Sequence, residues 1–106
     1  MAPELAAVLD RLRRHFETVY GDRLVECVLF GSRARGDAQA GSDADVLVVL
    51  RGPVDRGAEI DRNSDFLSEL CLEHGTVVSC LYMDRERFLR GAGPLLRNIR
   101  REGVPV

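Results

Sequence analysis

Two short apolar runs, Leu24–Phe30 (LVECVLF) and Val46–Leu50 (VLVVL), bracket a polar stretch, and the rest of the chain must fold around that arrangement. Each run is rich in β-branched and large apolar residues and bounded by turn residues, which predicts a pair of buried strands, the second central in its sheet. The stretch from Phe30 to Val46 reads FGSRARGDAQAGSDADV. Gly31 ends the first strand and lets a ligand approach the backbone closely, while Ser32 is expected to cap a short helix from Arg33 to Ala38. The first N–H groups of such a helix lack acceptors within it and suit a phosphate. At the other end Gly41 and Ser42 break the chain, and Asp43-Ala44-Asp45 leads into the second strand. Residues two apart on a strand share a face, so Asp43 and Asp45 are expected to project together. Two carboxylates there repel each other and lose hydration unless a cation lies between them. Mg²⁺ suits the place, since it takes one or two carboxylates and fills its remaining positions with water and phosphate oxygens. Singly, Gly-Ser is an ordinary strand-to-helix turn and Asp-x-Asp an ordinary turn into a strand. Ten residues apart, they describe a phosphate- and metal-binding unit.

The pattern Gly31-Ser32, ten residues, Asp43-x-Asp45, with Ala34-Arg35-Gly36 after the serine and Ser42 before the first aspartate, resembles the DNA polymerase β-type nucleotidyltransferase superfamily. More narrowly the chain resembles the minimal nucleotidyltransferases, the antitoxin half of HEPN/MNT toxin–antitoxin pairs, over almost its whole length, including the tail Leu95 to Gly103 (LLRNIRREG). The resemblance implies transfer of AMP from ATP, with Mg²⁺ held by the catalytic and metal-binding residues Asp43 and Asp45. Gly31, Ser32, Arg33, Arg35 and Ser42 would hold the nucleotide, although Arg35 is open to the alternative of bracing the loop. The implied acceptor is a tyrosine hydroxyl of a HEPN-type toxin, in a hetero-oligomer. One part of the superfamily pattern is missing. A third carboxylate is expected from a later strand, and here that strand carries Ser79, with Asp84 at its far end. A second reading follows, of a weak or inactive nucleotidyltransferase fold that neutralises a toxin by binding it. Modification of aminoglycosides or RNA is a lesser third, because both generally need an added acceptor-binding domain.

Composition narrows the field. The 106 residues suit one domain, taken as residues 1–106, with no separate substrate domain. All fifteen Lys+Arg residues are arginine, so neither a phosphate-loop lysine nor a Schiff-base lysine is present. A net charge of −2 and no tryptophan argue against direct nucleic-acid binding. Cys27, Cys71 and Cys80 lack paired spacing and are expected as core thiols in a reducing compartment, and no apolar run approaches membrane-spanning length, which together suggest the cytoplasm.

The remaining elements follow from periodicity. A helix is predicted over Pro3–Tyr20, burying Leu5, Val8, Leu9, Leu12, Phe16, Val19 and Tyr20, with Gly21 as its cap. A second long helix, from Val54 or Arg56 to His74, is expected to bury Ile60, Asn63, Ser64, Leu67, Leu70 and Cys71 and to turn Asp55, Glu59, Asp61, Arg62, Asp65 and Glu69 to solvent. A third strand, Thr76–Met83, a short helix Arg85–Arg90 capped by Asp84, and a last helix opening at Pro94 complete the order. The fold class expected is α+β: a small mixed β-sheet with helices mainly on one face, as in the polymerase β-like nucleotidyltransferases. The Arg-rich last segment is either a solvated face or a docking surface for an acidic protein or triphosphate.

Overall fold

The first helix, α1 (Pro3–Tyr20), forms where expected, because Pro3 suits the first turn and Gly21, at φ 53°, takes the cap. The computed structural model describes residues 2–36 and 43–106, and all structural statements concern these. After a 3₁₀ turn come β1 (Leu24–Phe30), a single-turn helix α2 (Ser32–Arg35), β2 (Ala44–Leu50) and α3 (Arg56–His74). Then follow β3 (Val78–Asp84), α4 (Arg85–Arg90), α5 (Pro94–Glu102) and a two-residue strand β4 (Val104–Pro105). The strands lie in the order β3-β2-β1-β4; β2 runs parallel to β3, while β1 is antiparallel to both β2 and β4. The parallel pair is possible because α3 carries the chain back across the sheet.

The long helices share one face. There Leu5, Val8, Leu9, Leu12, Phe16 and Tyr20 of α1 and Leu70 of α3 pack on Cys27, Leu29, Val46, Val48, Leu50 and Tyr82. On the other face Leu96 and Ile99 of α5, with Phe88 of α4, cover Val28, Leu47, Val49 and Met83. Both faces of β2 are therefore buried, which is why Val46–Leu50 shows no polar alternation. Cys27 and Cys80 are thiols pushed up to about 12, chiefly by burial, and so are packing residues rather than nucleophiles.

Several expectations need correction. In α1, Val19 is 37% exposed because the buried stripe turns from Phe16 to Tyr20. In α3 the buried face runs through Glu59, Asn63 and Leu70, leaving Ile60 53% exposed and Ser64 exposed. Polar pairing across the helix interface causes that rotation. The Tyr20 hydroxyl donates to Glu59 Oε1 (2.7 Å), Asn63 Nδ2 donates to the Tyr20 oxygen (2.8 Å), and Asn63 Oδ1 lies 2.8 Å from His15 Nε2. Glu59, expected in solvent, is held by Tyr20 and by Arg62 Nε at 3.0 Å, and burying it unpaired would be costly. Asp55 is the cap of α3, accepting from the Ala58 N–H at 3.2 Å. β4 was not foreseen, since two residues are too short for any periodic signal.

Candidate active site

At the C-terminal end of β1 the chain turns through Gly31, whose φ of 77° and ψ of −158° belong to a region that only glycine occupies comfortably. Gly31 also faces the acidic pair directly: a Cβ placed on it would lie 2.8 Å from Asp45 Oδ2. The Gly-Ser turn and the Asp-x-Asp strand are thus walls of one site. Pairing of Phe30 with Asp45 across β1 and β2 sets that proximity.

Gly31, not Ser32, is the N-cap of α2; Ser32 is the first helical residue and makes no side-chain cap. The expected capping role of Ser32 is therefore corrected, which leaves its hydroxyl beside the turn. Within the described residues α2 ends at Arg35, with Gly36 left-handed at φ 78°; Asp37 and Ala38, the end of the helix predicted, lie outside the described residues. Its backbone bonds run from the Ala34 and Arg35 N–H groups to the Gly31 carbonyl, at 3.1 and 3.2 Å. Arg33 and Arg35 sit on this turn, and Arg35 Nη1 reaches Glu102 Oε2 at 3.3 Å. Ser42 and Gly41, expected before the aspartates, lie outside the described residues.

The second strand starts two residues earlier than predicted, so Asp45 is within β2 and Asp43 just ahead of it. Asp43 is exposed and Asp45 half-buried. Burial, and then the charge of Asp43, raise the Asp45 carboxyl above its ordinary value of 3.8. Hard, oxygen-only ligands at a half-buried edge, one disfavoured as a bare anion, suit a small divalent cation with phosphate oxygens as its other ligands.

The third-carboxylate position is occupied by serine. β2 and β3 pair with Asp45 opposite Ser79, so the two side chains stand side by side on one face, about 5 Å apart between strands. Asp84 pairs with Leu50 at the opposite end of the sheet, about 17 Å along the strand at ~3.3 Å per residue. Its carboxylate is committed there to the α4 cap, accepting from the Arg87 N–H at 2.8 Å. Asp84 is therefore not a ligand of this site. Glu102, which pairs with Arg35 beside the turn, was not singled out by the sequence; its presence in the LLRNIRREG tail was the available signal.

A sequence model of the nucleotidyltransferase domain family matches residues 8–102. Two proteins of Methanocaldococcus jannaschii, each named as a candidate protein adenylyltransferase, are similar to the chain. The first is 32% identical over 96 residues, covering 87% of this chain and 64% of its own length; the second is 35% identical over 85 residues, covering 79% of each. The chain thus spans just under two thirds of the first relative. Among solved structures, a toxin–antitoxin crystallised with AMP-PNP superposes with a TM-score of 0.61 at 21% identity, over 98% of this chain and 72% of that one. That likeness establishes the fold.

Proposed function

The chain belongs to the nucleotidyltransferase domain family, and from that premise we propose that it transfers AMP from ATP to a hydroxyl of a partner protein. The observation that carries this reading is the contact geometry of Gly31 with Asp45, which joins a close-approach backbone turn to a carboxylate pair. In the reaction an acceptor oxygen forms a bond to the α-phosphorus as the bond to the β-phosphate oxygen breaks, and pyrophosphate leaves. Asp43 and Asp45 would hold Mg²⁺, which when bound neutralises phosphate charge. The Gly31 backbone and Ser32 hold the terminal phosphates, Ser42 assists, and Arg33 offsets their charge. The acceptor we propose is a tyrosine of a HEPN-type toxin, within a cytoplasmic hetero-oligomer. The names of the M. jannaschii relatives support protein as the acceptor class, and the toxin–antitoxin neighbour supports a toxin as partner.

One observation favours a second reading. Ser79, in register with Asp45, offers no carboxylate there, and among the described residues none takes its place on the strand, as expected of an antitoxin that acts by binding alone. Among the described residues no helix is long and apolar enough to cross a membrane.

Calorimetric titration with Mg-ATP tests the junction. Gly31→Ala is expected to weaken binding by more than about tenfold, because it meets both a backbone conformation costing about 1–3 kcal/mol and the Asp45 carboxylate. That strain is small beside the roughly 5–15 kcal/mol that stabilises a domain, so a cooperative melt should persist. A folded Gly31→Ala protein with parental Mg-ATP affinity would show that nucleotide does not approach this turn.

A further inference from the structure

The tail that closes the chain returns to the cradle. α5 is anchored by Leu96 and Ile99 on Val28, Leu47 and Val49, and immediately after it β4 pairs Val104 with Leu29 and Pro105 with Val28. Glu102, the last residue of α5, is thereby carried to the α2 turn, where it meets Arg35. Between α5 and β4 lies Gly103, where an added Cβ would stand 2.4 Å from the Ile99 carbonyl oxygen and 2.5 Å from Val28 Cγ1. Only glycine lets the chain leave the helix this close to β1. The Gly103 N–H bonds the Ile99 carbonyl at 2.8 Å and the Val106 N–H bonds the Cys27 carbonyl at 3.0 Å, fixing the segment on both sides.

The result is an ion pair across 67 positions, Arg35 Nη1 to Glu102 Oε2 at 3.3 Å, with the side chains 44% and 28% exposed. Arg101 Nη2 approaches the other oxygen, Oε1, at 3.4 Å. α2 is one turn long, has no side-chain cap, and ends at a left-handed glycine. A helix that short does not hold itself, so its orientation depends on what its side chains grip. We propose that Glu102 and Gly103 are positioning residues of the nucleotide site: Glu102 grips Arg35, and Arg35 acts by bracing α2 and the Gly31 turn rather than by touching phosphate. This rests on the nucleotide-binding reading of that turn.

The test is Mg-ATP affinity by calorimetry in a charge-swap cycle. Arg35→Gln and Glu102→Gln should each weaken binding about two- to fivefold, the range of an exposed ion pair, and the double variant should be no weaker than either. Arg35→Glu combined with Glu102→Arg should restore affinity to within about twofold of the parent. If Arg35 touches phosphate, the swap instead sets a carboxylate against the triphosphate and binding falls below both single variants, overturning the proposal. Parental affinity in Glu102→Gln overturns it equally. Hydrogen exchange of the Ala34 and Arg35 amides in nucleotide-free protein reads the brace independently. It should quicken in Glu102→Gln, and unchanged exchange contradicts the brace whether or not ATP binds. A parent that binds no Mg-ATP contradicts the function proposed above.

Discussion

Asp45→Asn is expected to lower single-turnover AMP transfer by about 10²–10³-fold, the cost of removing one preorganised electrostatic element, and to abolish its dependence on Mg²⁺. The same substitution should leave the metal-free protein as stable as the parent at neutral pH, or more so. In the folded state Asp45 holds its proton to higher pH than it does unfolded, because burial and Asp43 both disfavour the anion. The folded state therefore binds more protons, and the carboxylate costs stability as pH rises from its ordinary 3.8 through its raised folded value. Asparagine removes that cost, so the melting temperatures of Asp45→Asn and parent should converge at the acid end of that window and separate above it. An inactive variant that melts lower than the parent at neutral pH would instead make Asp45 a structural residue.

Ser79→Asp should act in the opposite sense, raising transfer by up to about 10²-fold, because it supplies a carboxylate on the strand position paired with Asp45. Mg-ATP affinity should change little, since in the proposed reading Asp43 and Asp45 serve the nucleotide side. The substitution places a third like charge about 5 Å from Asp45, so without metal the variant should melt lower, by about 5 °C for each kcal/mol of repulsion, and recover with Mg²⁺. Asp84→Asn is the control. It keeps a capping side chain at the far end of the sheet, because asparagine accepts from the Arg87 N–H much as aspartate does, and should leave both stability and transfer nearly unchanged. Loss of transfer in Asp84→Asn, with none gained in Ser79→Asp, would contradict the strand register.

How far these residues could be read from the chain depended on range. Leu24–Phe30 and Val46–Leu50 announce strands through local composition, and Gly31, Ser32, Asp43 and Asp45 through spacing along a single excursion between them. Asp84 as a cap and Gly75 as a stop, at φ 65°, were equally legible, because capping is local chemistry. Glu59 was not. Its burial requires Tyr20, 39 positions away, to present a hydroxyl, and nothing within α3 distinguishes it from Asp61 or Glu69. Glu102 was hidden for the same reason, since only β4, two residues long, carries α5 back to the cradle. Ile60 looked buried by apolarity alone, and the polar pairing at Asn63 overrode it. Ser79 stands between these cases: its place on the third strand was readable, but its pairing with Asp45 needed the register.

The decisive measurement uses ATP labelled at the α- or γ-phosphate, with Mg²⁺ and the protein encoded beside this chain. AMP transfer places the α-label on the partner and releases the γ-label as pyrophosphate, and both signals form about 10²–10³-fold more slowly in Asp45→Asn. A γ-label on the partner would make the reaction a phosphoryl transfer, and a stable complex carrying neither label would show a domain that neutralises its partner by binding alone.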